Sequence, residues 1–396
     1  MKNTPMNRQP VIGIIVTNDF VKRLPFGGAS GFIQNIMHTL GGRVVLFGAA
    51  VNGTPLWQLH QLGKQVEFIG CYPQTIPSRF PLRLQALWGY IRNRRRIVAS
   101  GVDLLYVHSP ECALPFLFGG QRLPVVFHQH GSGNPVTTAT FRWARNGLLE
   151  RLFDWIHGTI YQRSAWIIAI DRFCLEQARA HGAGDKTSLL MNAVDRDQFR
   201  PDADLRNTMR QALSCRDDEF VLFFVGRLEE IKQLDRLIAA LPLARAFMPI
   251  RLLVAGDGSH RLRLERLVAE LGLGDLVTFL GKVSHDRLPG YYNLADALVL
   301  PSRMEGVPMV ILESLACGTP VIATAVGGIP DLVRNGENGQ LLDAVEPASI
   351  AAALQTVAAR GWNRRQVSDT VSQWGAEEVA AHLSEIFNQL IHKGEP

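Results

Sequence analysis

Ala297-Leu298-Val299-Leu300-Pro301-Ser302 leads to Glu305-Gly306-Val307-Pro308-Met309-Val310-Ile311-Leu312-Glu313-Ser314-Leu315-Ala316-Cys317-Gly318-Thr319, and then to Pro320-Val321-Ile322-Ala323-Thr324. The outer segments are short apolar runs without alternation, which is how strands buried on both faces of a parallel sheet read. The middle segment is a helix. Pro308 suits its first turn, where a missing N–H is no loss. Gly318 stops it, with Pro320 just beyond. Strand, helix and parallel strand make a βαβ unit, and with it an α/β fold.

The pattern extends outward from there. Val221-Leu222-Phe223-Phe224-Val225 is a strand closed by Gly226, followed by Leu234, Leu237 and Ile238 at helical spacing. Leu252-Leu253-Val254-Ala255 is a strand ended by Gly256-Asp257-Gly258. Leu264, Leu267, Val268 and Leu271 form a helical stripe, and Val277-Thr278-Phe279-Leu280 is the next strand. The first half gives strands at residues 11–16, 43–47, 66–69, 103–107, 124–128 and 166–170. A polar stretch, residues 194–219, carries Pro201, Asp202 and Asp204 and marks a boundary. The expectation is two doubly wound Rossmann-like domains, residues 1–195 and 196–375. A terminal helix over 376–396 (Val379, Leu383, Ile386, Phe387, Leu390) would cross back to the first. Ligands of such sheets sit outside the carboxyl ends of the strands, so the expected site is a cleft between two facing domains.

Composition agrees with this. The chain has 396 residues, 47% hydrophobic and 19% charged, which excludes disorder, collagen and coiled coil as the main architecture. Its five cysteines (Cys71, Cys112, Cys174, Cys215, Cys317) form no CxxC pair, against a disulfide scaffold or cysteine zinc site and in keeping with a reducing cytosol. Residues 11–16 are too short for a membrane helix of about 20 residues. They read as a buried strand rather than a signal peptide. The net charge of +5 is unevenly spread. Residues 1–200 carry 22 Lys and Arg against 11 Asp and Glu, and the rest carry 19 against 25.

Four clusters carry chemistry. Gly306 and Val307 lie at a helix N-terminus, where free N–H groups and the positive dipole end favour an anion. Glu313 is about 7 Å further along the axis and Glu305 stays in the loop. Such carboxylates can accept hydrogen bonds from sugar hydroxyls on either side of that anion. Arg227 leaves a strand end and Lys232 starts the next helix, two cations suited to a diphosphate. Gly27-Gly28-Ala29-Ser30-Gly31 is a loop that lets backbone approach a ligand closely. Phe127-His128-Gln129-His130-Gly131 closes a strand of the basic half. Plainer readings stand beside these. Glu305 and Glu313 can be solvated helix-start charges, and Arg227 and Lys232 can pair with Glu229 and Glu230. His38, His108 and His128 default to structure, and Asp257 can cap a helix.

Arg227…Lys232, Gly256-Asp257-Gly258, Pro301-Ser302…Glu305-Gly306-Val307-Pro308…Glu313-Ser314-Leu315-Ala316-Cys317-Gly318-Thr319-Pro320-Val321 and Gly327-Gly328-Ile329-Pro330 together resemble the retaining glycosyltransferases of family 4. The likeness is dense from about residue 220 to 345. It implies the GT-B fold and transfer of a sugar from a nucleotide diphosphate sugar, used as co-substrate, with no cofactor and no metal. It also implies Glu313 on the nucleotide ribose, Glu305 on donor-sugar hydroxyls, Arg227 and Lys232 on the diphosphate, and His130 near the reacting carbon. Gly27 and Gly28 would close over the phosphates. Gly306, Val307 and Pro308 would line the donor site, with backbone near Gly256, Lys282 and Val283 facing the base. There are departures: Asp171 stands where the family often has Ser, Met191-Asn192-Ala193-Val194-Asp195 keeps part of an Asn-Gly-Val-Asp pattern, and no acidic residue follows the glycine loop.

Leu84, Leu87, Trp88 and Ile91 at helical spacing, with Arg92, Arg94, Arg95 and Arg96, suggest an amphipathic helix for an anionic membrane surface. The alternative is a surface helix docked on its own domain. The expectation is a cytoplasmic enzyme, peripheral at the membrane, acting on a glycan or lipid-linked acceptor in bacterial surface polysaccharide or lipopolysaccharide synthesis. No motif suggests nucleic acid. The rivals are a GT-B epimerase or hydrolase and a non-catalytic nucleotide-sugar binding protein. An NAD enzyme is disfavoured because Gly256-Asp257-Gly258-Ser259-His260-Arg261 lacks the third glycine of the dinucleotide fingerprint.

Overall fold

The computed structural model describes residues 8–22, 28–76, 81–118, 123–131 and 147–393. Contacts divide the chain into two compact units, Met1–Met191 with Ala376–Pro396, and Asn192–Gly375.

The first unit is built on β1 (Val11–Ile15), β2 (Arg43–Val51), β3 (Leu59–Gln61), β4 (Val66–Gln74), β5 (Leu104–Val107), β6 (Val125–Gln129), β7 (Trp166–Ala169) and β8 (Thr187–Leu189). The strand order is β3-β4-β2-β1-β5-β6-β7-β8. All neighbours are parallel except the short edge pair β3–β4. Strands β1, β5 and β6 are buried along their whole length, hence their uninterrupted apolar sequences. Its connecting helices are α1 (Gly28–Ile36), α2 (Leu82–Val98), α3 (Pro110–Leu117), α4 (Gly147–Arg163) and α5 (Arg172–Ala180). Tyr90 pins α2 to the sheet by donating to the carbonyl oxygens of Val16 and Phe47. Gly89 sits where a Cβ would lie 2.4 Å from the Tyr72 ring.

The second unit holds α6 (Ala203–Ala212), β9 (Phe220–Val225), α7 (Leu234–Ala244), β10 (Ile250–Ala255), α8 (Arg261–Glu270), β11 (Val277–Gly281), α9 (Leu288–Leu294), β12 (Ala297–Leu300), α10 (Met309–Ala316), β13 (Val321–Thr324), α11 (Ile329–Leu332), β14 (Gly339–Leu342), α12 (Pro347–Ala358) and α13 (Arg364–Asp369). Its strands are all parallel in the order β11-β10-β9-β12-β13-β14. The order reverses between β9 and β12, the switch point at which doubly wound sheets take ligands. The two ends of this unit pair, Val194 N–H donating to Trp374 O at 2.9 Å. The last helix, α14 (Ala376–Lys393), belongs to the first unit. It buries Val379, Leu383, Ile386 and Phe387 there. Among the described residues no helix is long and apolar enough to cross a membrane.

Two local expectations change. Pro308 precedes α10 as its N-cap, with extended backbone (φ −70°, ψ 122°), instead of sitting in the first turn. Gly28 opens α1, so residues 28–31 are helical and not a loop. Gly27 lies outside the described residues. The short strands β3, β8 and β14 went unread in the sequence.

Candidate active site

In the second unit, the loops leaving β9, β10 and β11 are laced together. Leu228 N–H donates to Asp257 O at 3.0 Å, His260 N–H to Leu228 O at 2.9 Å, and Gly256 N–H to Gly281 O at 2.7 Å. This is why glycines stand there. Gly256 has φ +133°, and a Cβ on it would lie 1.8 Å from Gly226 O; on Gly258 a Cβ would lie 2.4 Å from Leu228 O. Asp257 accepts from the neighbouring Gly258 N–H at 2.9 Å and is not the cap of α8, whose N-cap is His260. Arg227 emerges from this platform with its side chain exposed. Beyond β11, Lys282 is exposed and Val283 half-buried.

The loop from β12 to α10 is held from two sides. A Cβ on Gly327 (φ +57°) would lie 2.1 Å from Glu305 O. Gly328 N–H donates to Gly306 O at 2.8 Å. Asn192 Nδ2 donates to Val307 O at 2.5 Å. At the helix's far end Gly318 (φ +74°) packs where a Cβ would meet Arg364 O at 2.4 Å, so the Gly-Thr-Pro stop answers to packing as well as to the turn.

On this frame the expected residues meet in pairs. Lys232 lies in a single turn before α7, and its Nζ is 2.5 Å from Glu305 Oε1, with side chains 17% and 10% exposed. Lys232 is therefore not paired with Glu229 or Glu230. The Glu229 carboxylate accepts from Ser259 N–H at 3.3 Å and Oγ at 2.6 Å, and Glu230 faces Arg303 at 3.8 Å. Glu313 is not a solvated charge either, being 3% exposed. Its Oε1 accepts from His285 Nε2 at 2.9 Å and its Oε2 from the Tyr292 hydroxyl at 2.7 Å. The hydrogen bond to Glu313 raises the His285 pKa, helped by Asp195 and Asp286. Burial pushes the Tyr292 hydroxyl well up, so it stays a donor. Neither His285 nor Tyr292 stood out in the sequence. The available signal was a histidine four residues past a strand's carboxyl end, with Tyr292 two helical turns on.

In the first unit, His130 follows β6 and is half-buried, its Nε2 2.7 Å from His108 Nδ1. His128 Nδ1 lies 2.6 Å from the Tyr106 hydroxyl. Phe32 of α1 packs edge-on against His128 and His130, with centroids 4.8 and 5.5 Å away. Desolvation holds all three histidines neutral at pH 7, moving His130 from 6.5 to about 3. His108 and His128 are buried and pack against His130, in keeping with their reading as structural residues. A pocket of about 580 Å³ is lined by Thr17, Asn18, Arg83, Glu111, Gln129 and His130 among others.

The three imidazoles bring possible ligand atoms within 4.8 Å of one another. Their planes lie 25–41° apart, and His108 Nδ1 and His130 Nε2 are spent on the hydrogen bond between them. Asp171 caps α5, its Oδ1 accepting from Cys174 N–H at 2.7 Å. Ser and Asp are both favoured caps, but Asp171 is buried and its Oδ2 has no hydrogen-bond partner among the described residues.

Residues 26–198 match the profile described as Glycosyltransferase Family 4, and residues 206–373 match Glycosyl transferases group 1. The chain belongs to glycosyltransferase family 4. Among curated relatives, this family-4 chain is 38% identical over 191 residues to the D-inositol 3-phosphate glycosyltransferase of Geodermatophilus obscurus. That match covers 46% of the chain and 42% of the relative, so the chain spans about two fifths of that relative's length. In fold, it is similar to sucrose-phosphate synthase from Thermosynechococcus elongatus (TM-score 0.77, 23% identity, 97% of this chain and 100% of that one). It is also similar to Anabaena HepE in complex with UDP (TM-score 0.72, 19% identity, 96% and 100%). At these identities the two structures establish the fold alone, and the fold is GT-B.

Proposed function

We propose that this chain is a retaining glycosyltransferase that moves a sugar from a UDP- or GDP-sugar to a glycan or lipid-linked acceptor in bacterial surface polysaccharide or lipopolysaccharide assembly. The observation that carries this is the set at the β9/β12 switch point, where Lys232 is paired to Glu305, Glu313 is oriented by two donors, and Arg227 is exposed in the loop that leaves β9.

The reaction breaks the bond between the anomeric carbon and the diphosphate oxygen and forms one from that carbon to the acceptor oxygen on the same face. The acceptor's proton passes to the departing phosphate oxygen. Arg227 and Lys232 stabilise the negative charge as it develops on the diphosphate. Glu305, held by Lys232, accepts from donor-sugar hydroxyls, and Glu313 from the ribose. Backbone at Gly306 and Val307 faces the anion, and backbone near Gly256, Lys282 and Val283 the base. His130, neutral at pH 7, hydrogen-bonds the transferred sugar without placing a second positive charge near an oxocarbenium-like carbon. No step calls for a metal ion.

The inositol phosphate in the relative's name supports a phosphate-bearing acceptor. The basic first half suits such an acceptor. Helix α2 buries Ala86, Tyr90 and Ile97, whereas Leu84, Trp88 and Ile91 are 43%, 66% and 44% exposed. Those three share one stripe with Arg92 and Arg95, the pattern of a helix lying on an anionic bilayer. Arg96 stacks on Trp57 at 3.9 Å and Arg94 donates to Phe118 O at 3.0 Å, so these two serve the fold first. This helix supports a peripheral position at the cytoplasmic face.

A thermal-shift panel of UDP-, GDP-, ADP- and dTDP-sugars tests the reading. One donor should raise the melting temperature, since a ligand at 100 times its Kd stabilises by about 2.7 kcal/mol. Release of free sugar from that donor at full rate without acceptor would point to a hydrolase or epimerase instead. No shift with any donor would overturn the proposal.

A further inference from the structure

We infer that His285 and Tyr292 are positioning residues that hold Glu313 so that its carboxylate accepts from both hydroxyls of a ribose, making the site selective for ribonucleotide over 2′-deoxyribonucleotide donors. This rests on the reading of Glu313 as the ribose acceptor.

An ionised carboxylate has two oxygens and about four lone-pair positions. In Glu313 one position on Oε1 is taken by His285 and one on Oε2 by Tyr292. One acceptor position per oxygen remains, matching the two neighbouring hydroxyls of a ribose. Both donors come from the segment after β11: His285 from a single turn, Tyr292 from α9. Phe199 braces them together, its ring 5.1 Å from that of His285 and 6.0 Å from that of Tyr292. Phe199 and Tyr292 are fully buried, whereas the His285 side chain is 53% exposed, so Tyr292 is the more firmly held of the two donors. A glutamate free of such partners would have to be ordered on binding, at a cost in rotamer entropy.

The charged groups influencing His285 are Glu313, Asp195 and Asp286, all acidic, while Gln198 donates to its backbone carbonyl at 3.4 Å. The imidazole donates through Nε2 both as the cation and as the neutral Nε2–H tautomer, so the grip on Glu313 holds across neutral pH. A 2′-deoxy donor supplies one hydroxyl and leaves one acceptor position of a buried carboxylate unpaired.

The experiment is titration calorimetry on the full chain with whichever of UDP, GDP or ADP binds, and with its 2′-deoxy counterpart. The proteins are wild type, His285→Ala, His285→Gln, Tyr292→Phe and Glu313→Gln. Wild type should prefer the ribonucleotide by about tenfold or more, the worth of one hydrogen bond to a charged group. Tyr292→Phe and His285→Ala should each narrow that preference several-fold. His285→Gln, which restores an N–H donor, should recover part of it. A wild-type preference near one would overturn the inference, as would an unchanged preference in both His285→Ala and Tyr292→Phe. If Glu313→Gln loses the preference while those two keep it, the positioning role alone fails. If Glu313→Gln binds both ligands like wild type, or if none of the three diphosphates binds wild type, the underlying reading fails and takes the inference with it.

Discussion

The two units share one architecture but place opposite kinds of polar chemistry at the ends of their strands. In the first, His108, His128 and His130 stack together, desolvated and neutral. In the second, carboxylates are held by donors, Glu305 by the Lys232 ammonium and Glu313 by the His285 imidazole. The net charge of each half points the other way: residues 1–200 are net basic and the remainder net acidic. The electrostatics of a site depend on which side chains the fold desolvates, and not on the sum over a domain.

Breaking a pair should cost most. Lys232→Ala leaves the Glu305 carboxylate buried without its cation, a loss of about 3–5 kcal/mol. The second unit's melting temperature should fall by roughly 5–10 °C or more. Replacing Lys232 by Met and Glu305 by Leu together should restore much of that, because no lone charge is left behind. If the double variant is as unstable as Lys232→Ala, the pair is not what holds this loop.

The next effect is pH, with opposite signs in the two units. A histidine moved from 6.5 down to about 3 is protonated more readily in the unfolded chain. Its stability contribution is complete above pH 6.5 and shrinks as pH falls. For His130 the loss reaches about 2 kcal/mol at pH 5. His285 is shifted upward, so its contribution is present below pH 6.5 and disappears as pH rises through its raised pKa. Hydrogen exchange followed from pH 7.5 to 5 should show amides of β5 and β6 losing protection while those of α9 and α10 hold or gain it. Parallel behaviour of both sets would break the contrast.

The smallest effect concerns α2. Arg92→Glu with Arg95→Glu should reduce co-sedimentation with vesicles containing anionic lipid by a few-fold, at about 1 kcal/mol per basic residue near the surface. Binding to neutral vesicles should not change. Equal binding of the variant and the wild type to anionic vesicles would remove α2 as the contact.

Much of the second unit is legible in the sequence. Its strands are buried apolar runs, and each loop carries glycine where backbones touch, as Gly256 does against Gly226. Strand β14 escapes notice because Gly339-Gln340-Leu341-Leu342 is short, glycine-led and at the sheet edge. Arg227, Lys232, Glu305 and Glu313 are recognisable from spacing and resemblance. Their pairing is not, because Lys232 and Glu305 are brought together across 73 residues by two adjacent parallel strands. The same is true of His285, whose meaning depends on a carboxylate on another element. In the first unit the histidines close adjacent strands, β5 and β6, and only strand pairing puts His108 beside His130.

The central claim is that the charged set at the β9/β12 switch point performs sugar transfer. The most direct measurement is kcat/KM for Arg227→Ala and Glu313→Ala, using the donor selected by the thermal-shift panel, with melting temperatures recorded alongside. The account predicts a fall of about a hundredfold or more in each, with the exposed Arg227 variant melting like wild type. Near-normal rates in both variants would contradict it.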